Sequence, residues 1–230
     1  MARALLYDIH ANLPALEAVL ADADTAGATS FVLGGDYTLF GAWPQETLAV
    51  LEELDAVRIR GNGERWTARP AEAPDDDVVQ RAIDYCRKQL GDAVEELAEL
   101  PERAKLGDVL FCHGSPRSDV ETFMPEPMED EEKLLDGAGQ PVIVFGHSHL
   151  QFSRRAEERL LVNPGSVGMP LDGDTRAAYA LLSRDAEFEL RRVEYDVASY
   201  VVDMRDRLGA PLRGAVDTLV RRIEHAAFED

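Results

Sequence analysis

Cysteine is scarce: Cys86 and Cys112 are the only two in 230 residues. Two thiols build no disulfide scaffold, and they suit a reducing cytoplasm. Long apolar runs are missing as well, and none approaches the roughly 20 residues that a membrane-crossing helix needs. Asp8 comes too soon after Met1 for a signal peptide. Positive charge is in deficit, with 24 Lys and Arg against 44 Asp and Glu, a net charge of −20. That balance argues against general capture of DNA or RNA by counterion release. It argues equally against docking on anionic membranes. These absences point to a cytoplasmic protein with no membrane role and no strong non-specific nucleic-acid binding. A locally positive site could still receive an anionic substrate.

What is present is globular: 45% of residues are apolar and 30% charged. Residues 1–230 read as one domain, with 197–230 as closing helices. Six short apolar runs read as strands: Arg3–Tyr7, Ser30–Leu33, Ala56–Arg60, Val109–Cys112, Pro141–Phe145 and Leu160–Val162. The early ones alternate with helical patterns. Asn12 can cap a helix with Pro14 in its first turn, and Pro44–Leu54 and Val78–Leu97 supply further helices. This βαβ alternation predicts parallel strands beneath helices. Later, Gly107-Asp108 joins two strands tightly, and Arg176–Ser183 with Glu187–Tyr195 reads as a hairpin. Val197–Leu208 and Pro211–Phe228 read as amphipathic helices. The stripe Leu212, Val216, Leu219 and Ile223 could pack on a sheet or join a homodimer. The expected fold is α/β, two mixed sheets packed together with helices outside.

The residues that carry chemistry sit at the strand endings. These endings are Asp8-Ile9-His10, Gly35-Asp36, Gly61-Asn62, His113-Gly114, Gly146-His147-Ser148-His149 and Asn163-Pro164-Gly165-Ser166. Carboxyl ends of parallel strands share one edge, where ligands bind. Four of the five histidines fall in these endings. Asp8 and His10 are two apart, as are His147 and His149, so in extended backbone each pair points to one side. With Asp36, Asn62 and His113 they make seven O/N donors, too many for one tetrahedral zinc. They suit two metals about 3.5–4 Å apart, as used for phosphoryl chemistry. Oxygen and imidazole donors without thiolate favour Mn, Fe, Zn, Ni or Co over Mg or Ca. Cys112 should face away from His113, into the core.

In this order the motifs resemble the calcineurin-like metallophosphoesterases, above all their small bacterial and archaeal single-domain phosphodiesterases. The resemblance covers about the first 195 residues. It implies a four-layer α/β/β/α sandwich. It also implies that Asp8, His10 and His149 hold one ion, that Asn62, His113 and His147 hold the second, and that Asp36 bridges them. A metal-bridging hydroxide would attack phosphorus in line. Asp36, Asn62 and His113 are thus the expected catalytic residues. The expected function is a dinuclear, Mn-favouring phosphodiesterase acting on small or activated diesters. The alternatives are a protein or nucleotide phosphomonoesterase and, less favoured, a non-catalytic scaffold of the same fold.

One departure concerns proton supply. Where the family commonly places His after Gly-Asn, this chain has Gly63 and then Glu64. Gly donates no proton, and general acid help is typically worth about 10²–10⁴-fold. Glu64 is a weak substitute, because an unperturbed Glu is ionised at neutral pH. Esters with poor leaving groups should therefore react slowly, and His at position 63 should rescue them selectively. Arg65 and Arg117 are candidate substrate contacts, with Arg60 beside them, weighed against ion-paired surface roles. Trp43 and Trp66 would wall the cleft or simply pack. Ser148 and Ser166 read as turn residues, since nothing orients a triad.

Overall fold

Strand β1 (Ala2–Leu6) opens a computed structural model that describes residues 2–228. It is followed by α1 (Leu13–Thr25), β2 (Ala28–Leu33), α2 (Pro44–Glu52) and β3 (Ala56–Arg58). Asn12 caps α1 by accepting from Ala15 N through its side chain, with Pro14 in the first turn. Each strand pair is linked by a helical crossover, and β1–β2 and β2–β3 accordingly pair in parallel. Three helices come next, α3 (Asn62–Ala68), α4 (Asp77–Leu90) and α5 (Ala93–Ala98). Gly91, at φ 56°, ends α4 where the apolar pattern alone left one helix or two.

The second half supplies β4 (Arg103–Leu106), β5 (Val109–Cys112), β6 (Val142–Val144), β7 (Phe152–Ala156), β8 (Arg159–Asn163), β9 (Ala177–Leu182) and β10 (Phe188–Val193). Helices α6 (Val197–Leu212) and α7 (Ala215–His225) close it. The sheets run β10-β9-β1-β2-β3 and β4-β5-β6-β8-β7. Both are mixed, as expected. In the second, β5, β6 and β8 are parallel, flanked by antiparallel β4 and β7. The strands that carry the six motifs are therefore the parallel ones of both sheets.

Leu5, Tyr7 and Val32 meet Phe111, Val144 and Val162 between the sheets, all fully buried. Each such side chain contributes roughly 1.5–3 kcal/mol of burial. Helices α1, α2 and α4 cover the first sheet through Leu16, Val19, Leu51, Ile83 and Cys86. The outer face of the second sheet carries Phe123, Leu135 and Ala138, from a segment whose one helical piece is a 3-10 turn, Glu131–Leu135. Cys112 is buried in that layer, as predicted.

Two elements are not visible in the sequence pattern. α3 begins on Asn62 itself, inside a stretch that reads as a motif loop. β7 is an edge strand carrying Arg154 and Arg155, charges that hide a strand from apolar patterning. α6 also runs through Pro211 to Leu212, past the predicted stop, because Leu208 and Leu212 are both buried. The stripe Leu212, Val216, Leu219 and Ile223 is corrected: it packs with Tyr200, Met204 and Leu208 of α6 and beside Val78 and Tyr85 of α4, not on a sheet. The stripe is thus covered within the chain itself. No helix among the described residues is long and apolar enough to cross a membrane.

Candidate metal centre

The six strand endings converge at one edge, where the loops tie to one another. Asp8 N, His10 N and Ala11 N donate to the carbonyls of Gly35, Asp36 and Tyr37, extending the β1–β2 pairing into the loops. Gly146 N donates to His113 O at 2.7 Å, and His147 N to Asp8 Oδ2 at 3.0 Å. Asn163 braces the same loop: its Nδ2 donates to Gly146 O and Ser148 Oγ. Ser166 Oγ donates to Asp8 O at 2.6 Å and accepts from Met169 N at 2.7 Å. Both serines thus serve loop structure.

Two groups of donors result, Asp8 with His10 and His149, and Asp36 with His113 and His147. Within each, the ligand atoms lie within 4.8 Å of one another. Three imidazoles are oriented by carbonyls. His10 Nδ1 faces Leu39 O at 2.9 Å, His113 Nδ1 faces Gly34 O at 2.8 Å and His149 Nδ1 faces Met169 O at 2.6 Å. A carbonyl accepts only, so each Nδ1 carries a proton, and in its neutral form each ring presents a lone pair on Nε2. His10 Nε2 and His149 Nε2 then meet at 3.0 Å. Asp8 Oδ1, buried without a hydrogen-bond partner, lies 3.5 Å from His149 Nε2 and 3.7 Å from His113 Nε2. Asn62 Oδ1 faces His113 Nε2 at 3.0 Å. A reversed Asn62 amide would instead offer its NH2 to that nitrogen, to His147 Nδ1 at 2.8 Å and to Asp119 O at 3.2 Å. Lone pairs aimed at lone pairs in a buried site repel unless a cation stands among them. The donors present therefore fit divalent ions.

All seven predicted donors are brought together, but by a different backbone route. Asp8, His10, Asp36, His147 and His149 have φ between 48° and 67°, the left-handed region. Extended alternation therefore does not aim them: Asp8 and His10 fall in one group, while His147 and His149 enter different ones, as the resemblance implied. Such conformations cost of order 1–3 kcal/mol each and collect at functional sites.

Charge is arranged to match. Burial opposes ionising Asp8 and Asp36, yet His149 and His113 beside Asp8, and His113 beside Asp36, hold both below the usual carboxylate range. Burial opposes charging His113, but Asp36 and Asp8 hold its pKa up to about 10. Burial and the charge of His149 push His10 down to about 4, and burial and His113 do the same to His147.

Glu64 is not placed as a substitute acid; its surroundings give it another role. It is 3% exposed, and its carboxylate accepts from Asp36 N at 2.9 Å, Tyr37 N at 2.8 Å and Gly61 N at 2.7 Å. It clamps the loop bearing Asp36 to the start of α3. Its pKa is pushed up to about 7 by burial and by Asp36. Sequence reasoning missed this role; the signal available was an acid three residues after Gly61, the spacing at which a side chain reaches back to a helix start.

Arg65 is corrected as a substrate clamp. Its guanidinium is committed to Asp119, through Nε and Nη2 at 2.7 Å each, and to Glu72 at 2.8 Å. Arg60 also reaches Asp119, at 3.3 Å. Arg117 is exposed and, among the described residues, has no ion-pair partner. Trp43 lies under the Arg207 guanidinium, 3.3 Å from its ring centre, and Trp66 packs on the helical layer, so both are packing residues.

Comparison with known proteins agrees with this geometry. The profile of the calcineurin-like phosphoesterase superfamily domain matches residues 1–187. The uncharacterized protein MJ0912 of Methanocaldococcus jannaschii is 30% identical over 240 residues, covering 89% of this chain and 93% of its own. A Bacillus subtilis protein bearing the name "Probable metallophosphoesterase YsnB" is 28% identical over 156 residues, 68% of this chain and 84% of its own. The crystal structure of a metallophosphoesterase from Sphaerobacter thermophilus superposes with a TM-score of 0.83 at 28% identity, covering 99% of this chain and 100% of that one.

Proposed function

The chain belongs to the calcineurin-like phosphoesterase superfamily, which implies divalent metal ions, and we propose that it is a dinuclear metal-dependent phosphodiesterase for small or activated diesters. The observation that carries this reading is the pair of facing donor groups, with the unpartnered Asp8 Oδ1 between His149 and His113. In it, Asp8, His10 and His149 hold one ion, Asn62, His113 and His147 hold the other, and Asp36 spans them. Support for the Asp36 role is that its charge acts on His10 of one group and on His113 and His147 of the other. Bound divalent ions supply hydroxide at neutral pH and polarise phosphate oxygens. Oxygen and imidazole donors without thiolate suit Mn, Fe, Zn, Ni or Co, and manganese is the ion we propose.

The chain's own contribution is orientation. Carbonyls fix the tautomers of His10, His113 and His149, and backbone N–H groups hold the carboxylates of Asp8 and Asp36. Gly63 offers no proton to a leaving oxygen, and the three N–H donors on Glu64 occupy its carboxylate. This favours substrates that leave without protonation, which is the argument for activated diesters. Two buried free thiols suit a cytoplasmic setting.

The test is metal analysis of the purified protein, and then turnover of bis(p-nitrophenyl) phosphate and p-nitrophenyl phosphate with Mn²⁺. Two ions per chain and faster diester hydrolysis are expected. Faster monoester hydrolysis would make it a phosphomonoesterase. An ion-free protein that stays inactive in Mn²⁺ would make it a scaffold.

A further inference from the structure

Beside the metal centre lies a cavity of about 310 Å³ that shares His113 as a wall. Four guanidiniums line it, those of Arg60, Arg65, Arg103 and Arg117, against the carboxylates of Glu72, Glu102 and Asp119. On a chain with a net charge of −20, a local surplus of positive charge is unusual. The arrangement also has an order. Asp119, with 18% of its side chain exposed, is gripped by Arg65 and Arg60 together, so one carboxylate faces two guanidiniums. The remaining partners are peripheral: Glu72 is 47% exposed and Glu102 65%. Ion pairs that exposed contribute about 0–1 kcal/mol, so an incoming anion displaces them at little cost.

Arg117 stands apart. It occupies the tip of a turn closed by Ser115 N donating to Ser118 O at 2.7 Å and by Ser118 N donating to Ser115 Oγ at 3.2 Å. Arg103 Nη1 fastens that turn through Pro116 O at 2.9 Å. A fixed turn thus presents a guanidinium with no ion-pair partner among the described residues. The cavity adjoins the candidate centre: His113 lines it, and the Asp119 carbonyl lies 3.2 Å from the Asn62 amide.

We propose that this cavity is a second anion subsite, which holds a further phosphate of the substrate through Arg117 and Arg60 while the scissile ester sits at the metal centre. The inference rests on the phosphodiesterase reading and narrows it to diesters that carry a second phosphate. A guanidinium fork recognises phosphate bidentately, and a lysine in its place would keep the charge but lose the fork.

The experiment compares thymidine 5′-(p-nitrophenyl phosphate) with its 3′-phosphorylated analogue, which shares the same reacting ester and leaving group. The extra phosphate should lower KM about tenfold with little change in kcat, the size expected of one charge-assisted contact. In Arg117→Gln that KM ratio should collapse towards one, and Arg117→Lys should restore only part of it. Equal KM values for the two substrates, or a ratio that survives Arg117→Gln, would overturn the subsite. A second readout does not need turnover. Thymidine 3′,5′-bisphosphate should raise the Tm of the Mn²⁺-loaded wild type more than thymidine 5′-monophosphate does, and equally little in Arg117→Gln. If neither diester is hydrolysed, the phosphodiesterase reading fails while this Tm comparison still decides the subsite. Equal shifts in the wild type would reject it.

Discussion

His10 Nε2 and His149 Nε2 stand 3.0 Å apart, and each ring has already committed its Nδ1–H to a backbone carbonyl, of Leu39 and Met169 respectively. With both rings neutral, neither Nε2 holds a proton to share, and a cation placed between the rings turns their closeness into a stabilising contact. Removing metal with a chelator should therefore lower Tm. A ligand held at a thousandfold excess over its Kd contributes about 4 kcal/mol to folding. His149→Ala should reduce bound metal from two ions per chain to one, read by elemental analysis. A chelator that leaves Tm unchanged, or a His149→Ala protein with full metal content, would contradict this pairing.

The residue types and their order were legible in the sequence because each donor lies just past a parallel strand, and parallel strands deliver their carboxyl ends to one edge. The aim of each donor was not legible. Alternation assumes extended backbone, yet Asp8, His10, Asp36, His147 and His149 all take positive φ, a choice fixed by contacts distant in sequence. Asp8 N bonds Gly35 O, and Val167 N and Gly168 N return to Tyr7 O and Asp8 O. The commitment of Arg65 to Asp119 was hidden for the same reason, since 54 residues separate them. Apolar stripes such as Leu212–Ile223 showed that a face is buried, without showing against what.

Glu64 offers a test of how the loops are held. Its carboxylate accepts three backbone N–H bonds, from Asp36, Tyr37 and Gly61, while 3% exposed. Glu64→Gln turns an NH2 towards at least one of those donors and leaves it unsatisfied. The cost should be about 1–3 kcal/mol, read by urea unfolding. Because Asp36 and Asn62 lie on the two segments so joined, kcat should fall as well. Glu64→Asp, which keeps the charge on a shorter stem, should recover stability only in part. Unchanged stability in Glu64→Gln would remove Glu64 from this role.

Gly63 bears on the missing general acid. Its N–H donates to Asp36 Oδ1 at 2.7 Å, and a Cβ built there would stand 2.8 Å from the same oxygen. Installing His therefore shifts the Asp36 carboxylate besides adding a proton donor, and the simple rescue expected from sequence needs an alanine reference. Gly63→Ala should lower turnover of good and poor leaving groups alike. Relative to Gly63→Ala, Gly63→His should speed only the poor ones, within the roughly 10²–10⁴-fold that general acid help supplies. Equal rates for the two variants on every substrate would show that proton donation at this position is immaterial.

Far from the metal centre, Asp22 of α1 ties that helix to the edge of the first sheet. It accepts from Arg191 Nε at 2.8 Å and Nη2 at 3.1 Å, and from Tyr179 OH at 2.6 Å. The Arg191 hydrogen bonds, opposed by burial and aided by Tyr179, hold the Asp22 carboxyl below its ordinary value. The folded pKa is thus lower than the unfolded one, and the unfolded chain takes up this proton first on acidification. The stabilisation is present above the ordinary carboxylate range and is lost as pH falls through that range to the folded value. Asp22→Asn should cost about 1–2 kcal/mol near neutral pH, since the pair is partly exposed and screened. The gap between wild type and variant should hold from about pH 7 to about pH 5 and shrink from about pH 5 to about pH 3, where carboxylates titrate. Urea unfolding of both proteins across that interval reads it directly, and a constant gap would mean that the amide introduced by Asp22→Asn replaces the ionised carboxylate without loss of charge-dependent bonding.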